Sequence, residues 1–377
     1  MFDDPDIDRH PRIYGVKIGS KYTVVTDGTT IRREITAVRR RPVDLKGNFV
    51  FDFSTGAEGW SDSLYPLKQG VPRNDVLMSI SESIQLTKAY TEWLLADIPE
   101  DAGVVVCLPL IRDKEGLGAL KAAIRKSTAA KRGLQFFSEA WGAALGTIPI
   151  REAVGTNVLT LNFGSSTVEV TMHSSKVLVE SNVYTFGGGE IDKRLINAIE
   201  QAHRGTKATE SDARKIKEQY DWTLNNDVPA TLSMEGAKHE VIISGDVIRG
   251  IVSNAIDHLV TLIRTQFLRA AEMSDPGAVS SLQATGRGYL VLCGGMVNMP
   301  GFARELYDRL IAIGAINESV ILAVPEDGVI APAALMLPYW FRNRLPMMLT
   351  LRPVLFSKWC RFVRLISPVV RRHAGSL

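Results

Sequence analysis

The residue types best suited to chemistry in this chain lie in two short turns rich in glycine and hydroxyl groups. In Leu159–Met172 (LTLNFGSSTVEVTM), Gly164 lets the backbone turn tightly and approach a ligand, and the hydroxyls and amides of Ser165, Ser166 and Thr167 can ring an anion. A second copy of the pattern opens the chain at Tyr14–Val25 (YGVKIGSKYTVV), with Gly19, Ser20 and Lys21 at its turn. Two such turns, each opening its own half of a chain, point to two similar half-folds that grip phosphates from both sides. Gly294-Gly295, at the end of the apolar run Tyr289–Cys293, can bring backbone amides to a ligand because a side chain there would block close approach. Its alternative is a plain strand-to-helix turn. Lys217 and Glu218 can hydrogen-bond a polar ligand, or can form a solvated helical charge pair.

The elements that must hold these groups are readable from hydrophobic period. Leu159, Leu161 and Phe163 alternate with Thr160 and Asn162, and Val168, Val170 and Met172 alternate with Glu169 and Thr171. This period of two predicts a β-hairpin with one buried face. Tyr14–Val25 and Ile31–Val38 predict successive strands, and Asp75 predicts the N-cap of a helix reaching about Ile98. Gly103–Leu108 (GVVVCL) is continuously apolar, as in a strand buried on both faces of a sheet. A helix over Leu117–Ser127, a strand over Leu134–Phe137 and a short helix over Ser138–Gly146 follow; Glu139 stands in the first turn of that helix, where the macrodipole alone would favour an acid. Phe186–Glu190 (FGGGE) is a glycine-rich turn into a helix from Ile191, and Val247–Ala270 predicts a long amphipathic helix. The alternation of strands and helices is an α/β layer arrangement.

Composition narrows the class. A chain of 377 residues, 45% hydrophobic and 23% charged, has the size for two domains and the make-up of a globular protein. Cys107, Cys293 and Cys360 are widely spaced, without C-x-x-C or histidine pairing, and read as buried small hydrophobes, so no metal site is expected from them. The acidic opening MFDDPDIDRH has no apolar core of a leader, and no run of about 18 apolar residues is present to span a bilayer. The basic residues from Arg342 to Arg372 give the last 36 residues a charge of +8 with no acid; subtracting it from the overall +3 leaves −5 on the rest. A mildly acidic body argues against a nucleic-acid-binding core, and a basic tail seeks an anionic surface.

Taken in order, these pieces resemble the actin family, including its bacterial homologue MreB. The resemblance covers about residues 13–340 and rests on YPLKQGV (Tyr65–Val71), CLP (Cys107–Pro109), FSEAWGAALG (Phe137–Gly146), LNFGSST (Leu161–Thr167), FGGGEID (Phe186–Asp192), ARKIKEQ (Ala213–Gln219) and LCGGMVNMPGFARELYDRL (Leu292–Leu310). It implies an actin-like, ribonuclease H-like duplicated fold whose two lobes enclose ATP or ADP, with Mg²⁺, slow ATP hydrolysis coupled to polymerisation, and the chain itself as partner in a filament. By the same resemblance Gly187, Gly188 and Gly189 lie beside the ribose, Lys217 and Glu218 on the adenosine, and Gly294, Gly295, Met296 and Met299 in the adenosine motif. Glu139 matches the MreB-type glutamate that positions or activates the attacking water. The implied division is a first lobe over 1–154 with an insertion at about 31–70, a second over 155–327 with an insertion at about 190–250, a returning helix at 328–344, and a tail from 345.

The sequence departs from the family where charge matters most. The family carries an aspartate in each phosphate hairpin, and these organise hydrated Mg²⁺; here the positions hold Lys17 and Asn162. Two negative charges are lost and one positive charge is gained, and Lys17 can touch a phosphate directly as a point charge. Pro332 also stands, after Gly328, where the family usually has glycine. The tail extends past the family fold. In Val354–Ile366, Lys358, Arg361 and Arg364 lie on one flank of a helix, with Leu355, Phe356, Trp359, Phe362 and Ile366 over most of the rest. Such a segment fits an anionic bilayer interface, which would put the protein on the inner face of the cell membrane; the alternative is packing on protein. A different class of reading is a non-filamentous actin-fold membrane adaptor with little or no hydrolysis. A small-metabolite kinase of the same superfamily would need a carboxylate base for the acceptor hydroxyl, and the sequence offers no convincing candidate.

Overall fold

The structure is a computed structural model that describes residues 12–324, apart from 28–29, 44–48, 59, 61, 111–112, 128–132, 149–151, 153–154, 176, 235–236 and 286. The returning helix, Pro332, Cys360 and the basic tail lie outside the described residues.

The first lobe begins with an antiparallel meander of β1 (Ile13–Ile18), β2 (Tyr22–Thr26) and β3 (Ile31–Ile35). A separate two-stranded sheet of β4 (Val38–Pro42) and β5 (Phe49–Phe53) follows, then the short pair β6 (Leu67–Lys68) and β7 (Val71–Pro72). Ile31–Ile35 is therefore the edge of the main sheet, and the small projecting sheet starts at Val38. The chain returns through α1 (Ile80–Leu95), β8 (Gly103–Leu108), α2 (Lys114–Lys126) and β9 (Leu134–Ser138), which completes the order β3-β2-β1-β8-β9. β8 and β9 run parallel to β1.

α3 (Glu139–Thr147) leads to the second lobe, which repeats the plan. β10 (Asn157–Phe163), β11 (Val168–Ser174) and β12 (Val177–Tyr184) form the meander. α4 (Gly188–Ala202), β13 (Thr206–Lys207), α5 (Glu210–Gln219), β14 (Val228–Met234) and β15 (Ala237–Ile243) come next, the three strands making their own small sheet. α6 (Gly245–Leu262) passes through a wide turn at Ile263–Phe267 into α7 (Leu268–Ser274), so the predicted long helix is interrupted near its end. After α8 (Pro276–Ser280) come β16 (Gly288–Cys293), α9 (Phe302–Ala312) and β17 (Ile321–Ala323), giving the order β12-β11-β10-β16-β17. Strand order and direction match the first sheet throughout, and the duplication reaches single residues. Lys17 on β1 pairs with Cys107 on β8, and Asn162 on β10 pairs with Cys293 on β16.

Two sequence expectations are corrected. Asp75 does not cap α1: its carboxylate accepts from the Leu77 amide inside a turn closed by Met78, and Ser79 caps the helix instead, accepting from the Glu82 amide. The β10–β11 hairpin is buried on both faces, because β10 is a central strand with α3 against its other side. Thr160, Asn162, Glu169 and Thr171 are accordingly all buried.

Each lobe has its own apolar core, one around Val16, Val104, Val106 and Tyr90, the other around Leu161, Phe163, Val170 and Leu292. α3 joins the lobes, packing Trp141, Ala144 and Leu145 on Val158, Tyr289 and Val291 while also touching β8 and β9. Phe163 ends β10 just before the second turn; it is 1% exposed and meets Phe186 and Phe302 edge-on, with ring centroids 6.0 and 5.5 Å away. Truncating a fully buried phenylalanine costs about 3–5 kcal/mol. Phe163→Ala should lower unfolding stability by about that amount, and a loss under about 1 kcal/mol in denaturant titration would show that the ring does not anchor the turn.

Candidate functional site

The tips of the two hairpins face each other across a cleft of about 460 Å³. Lys17, Gly19, Ser20 and Lys21 line it from the first lobe, and Asn162, Gly164, Ser165, Ser166 and Thr167 from the second. Glu139, Gly187, Gly188, Gly189, Lys217, Glu218, Gly294, Gly295 and Met296 close the remaining walls. Met299 does not join them; it is 1% exposed in the core of the second lobe, where the chain turns into α9.

Close backbone approach explains the glycines. Gly294 has φ +96°, and a Cβ there would sit 2.3 Å from the Phe163 carbonyl oxygen. A Cβ on Gly187 would lie 2.6 Å from the Gly164 carbonyl oxygen. The Gly188 and Gly189 amides donate to the carbonyls of Gly164 and Ser165 at 2.9 and 2.7 Å, so the glycine-rich turn and the second hairpin tip are one bonded unit.

The side chains at the floor form a buried charge cluster. Glu139 is placed by α3, whose N-cap Ser138 accepts from the Trp141 amide. The Lys17 ammonium lies 2.6 Å from Glu139 Oε1, and Asn162 Nδ2 donates to the same oxygen at 2.6 Å. The side chains of Lys17 and Glu139 are 14% and 3% exposed. Burial opposes the Lys17 charge, but the charge and hydrogen bond of Glu139 outweigh it and hold the ammonium above its ordinary value. Glu169, opposite Asn162 in the hairpin register, also lines the cleft. Burial and then the negative charge of Glu139 push its carboxyl well above the usual range, against Lys17, a backbone hydrogen bond at Leu110 and Asn162. Burial likewise pushes up the thiols of Cys107 and Cys293, which keeps them protonated.

The adenosine side is also paired. Lys217 is buried and donates to Asp192 at 2.5 Å and to the Gly188 carbonyl at 3.2 Å. Burial raises the Asp192 carboxyl even beside that lysine. At the cleft mouth, Glu58 of the first lobe stands 3.6 Å from Lys21 and 3.7 Å from Arg214 of α5, while Arg33 and Arg214 both lie over the Tyr22 ring. Lys21, lowered by burial and by Arg214, is turned toward Tyr65. Sequence reading missed Glu169, Asp192, Glu58 and Arg214. Glu169 looked like the solvated side of a strand, Asp192 and Arg214 lay within motifs read for other residues, and Glu58 carries no local signal because its partners are distant in the chain.

The donor set does not fit Mg²⁺. That ion keeps near-octahedral oxygen ligands and is oriented by carboxylates. Here an ammonium and an amide occupy the two strand positions, Glu139 is committed to both, and burial pushes the Glu169 carboxyl upward. Among the described residues, no group of three or more His, Cys, Asp or Glu could hold a metal ion.

A duplicated pair of five-stranded sheets closing on a glycine-lined cleft defines an actin-like protein. The family model described as Salactin matches residues 11–335, and the chain belongs to that family. Among solved structures, the fold is similar to a MamK double helical filament subunit at TM-score 0.68 and 18% identity, covering 87% of this chain and 98% of that one. It is similar to MreB5 of Spiroplasma citri bound to AMPPNP at TM-score 0.66 and 16% identity, covering 88% and 97%. The ADP-bound form of that protein gives TM-score 0.67 and 16% identity, covering 89% and 98%. No curated protein sequence matches the chain.

Glu169 gives a pH test. Between the ordinary carboxyl value of 4.5 and its raised value, the folded state holds a proton that the unfolded state releases. Stability from this group is therefore greatest at the acid end of the window and falls as pH rises, by up to about 1.4 kcal/mol per pH unit. Glu169→Gln removes that loss. Its melting temperature should fall less than wild type as pH rises above the ordinary carboxyl value of 4.5. Parallel curves would place Glu169 outside the buried charge cluster.

Proposed function

We propose that this chain is a cytoskeletal protein that binds adenine nucleotide between its lobes and polymerises into filaments, held by its basic tail on the inner face of the membrane. The observation that carries the nucleotide reading is the convergence on one cleft of both hairpin tips, the Gly187–Gly189 turn, the Lys217-Glu218 pair and Gly294-Gly295. The duplicated halves supply phosphate turns from both sides, and the glycine contacts let backbone reach a ligand. The MreB5 structures with AMPPNP and ADP support the same site by fold. Filament formation is supported by the likeness to MamK, solved as a double helical filament. A two-lobed subunit making head-to-tail contacts that do not close yields a filament rather than a ring.

Glu139 is the candidate to position the attacking water, as phosphoryl transfer needs chiefly placement and charge stabilisation. With Lys17 and Asn162 both on its Oε1, its charge is committed, and hydrolysis is slow. This same contact favours the second reading, an actin-fold membrane adaptor that uses nucleotide structurally. No helix of the described residues is long and apolar enough to cross a membrane; the membrane reading rests on the basic amphipathic segment Leu355–Ile366.

Purified protein with ATP should give filaments in negative stain and pellet at high speed; dispersed monomers with and without nucleotide would favour the adaptor. Phosphate release should be slow in wild type and at background in Glu139→Ala, whereas equal background rates would leave a binding-only protein. The full chain should sediment with anionic liposomes and a chain ending at Arg344 should not; equal sedimentation would remove the membrane role of the tail.

A further inference from the structure

The floor of the cleft lacks the chemistry of a divalent-cation site but holds a fixed cation of its own. We propose that Lys17 is the counter-ion for the nucleotide phosphates, so that the cleft takes nucleotide without a divalent metal, and that Glu139 and Asn162 position Lys17. This rests on the nucleotide reading of the cleft. An ammonium carries three N–H donors, and Glu139 takes one of them at 2.6 Å. The other donors remain for the cleft that Lys17 lines.

The pairing solves a placement problem. A lone lysine on a central strand at the bottom of a cleft would swing among rotamers or lose its proton to burial. Glu139 holds it charged and in one place, and Asn162 from the opposite lobe fixes the carboxylate by donating to the same oxygen. Lys17 comes from β1, Glu139 from α3 and Asn162 from β10, and Lys17 lines the same cleft as the two hairpin tips that would grip phosphates from both sides.

The test is binding of a fluorescent mant-ATP to the full chain, once with EDTA and once with excess Mg²⁺. Wild-type affinities in the two buffers should agree within about threefold, since a fixed ammonium needs no metal. A charge-assisted contact of this kind is worth roughly 10- to 100-fold in affinity, so Lys17→Met should weaken binding by that factor in EDTA. Glu139→Gln keeps the shape but loses the charge that holds Lys17, and should weaken binding about tenfold in both buffers without creating Mg²⁺ dependence. Lys17→Asp combined with Asn162→Asp restores two carboxylates and should make binding at least about tenfold tighter with Mg²⁺ than with EDTA. Wild-type binding only with Mg²⁺ overturns the proposal while leaving the nucleotide site intact, and this comparison stands even if a variant does not fold. Unchanged affinity of folded Lys17→Met in EDTA also overturns it. Absence of binding in either buffer overturns the nucleotide reading itself.

Discussion

The ion pair between Lys17 and Glu139 constrains the whole molecule, because both charges are largely removed from water. Burying an unpaired ion costs several kcal/mol, and removing one partner of a buried pair commonly costs about 3–5 kcal/mol. The pair must therefore form, which requires β1 and α3 to meet, and the Asn162 hydrogen bond to the same carboxylate brings in β10. Those three elements belong to the first lobe, the connection and the second lobe. One small cluster of charge thus ties the halves at the base of the cleft, while Trp141 and its neighbours on α3 seal the apolar side.

The rest of the cleft follows the same logic of paired charge and close backbone. Lys217 is matched by Asp192, and Glu58 stands between Lys21 and Arg214 at the mouth. The second hairpin tip is bonded to the glycine-rich turn through Gly188 and Gly189, an approach that a side chain at Gly187 would prevent. The turns carry glycines, and the strand residues beneath them supply an ammonium and an amide.

Much of this was legible in the sequence because the signals are local. Period-two runs around Gly19 and Gly164 marked both hairpins, the apolar runs at Gly103–Leu108 and Tyr289–Cys293 marked the buried parallel strands, and the glycine clusters marked close approaches. The misreadings came from tertiary context. The polar alternation of Asn162 and Glu169 suggested a solvated face, yet α3 covers it. Asp75 had the right residue type for a cap but is used by a turn four residues too early. That Lys17 and Asn162 would meet on one oxygen of Glu139 is invisible in a sequence that sets Lys17 more than a hundred residues before both of the others.

The most direct test of the account is an experimental structure of the full chain with ADP and excess Mg²⁺. The account predicts phosphates between the tips at Gly19 and Gly164, the Lys17 ammonium within about 3 Å of a phosphate oxygen, and Glu139 still holding that ammonium. A six-coordinate metal on the phosphates beside Asn162, with Lys17 turned away from them, would contradict it.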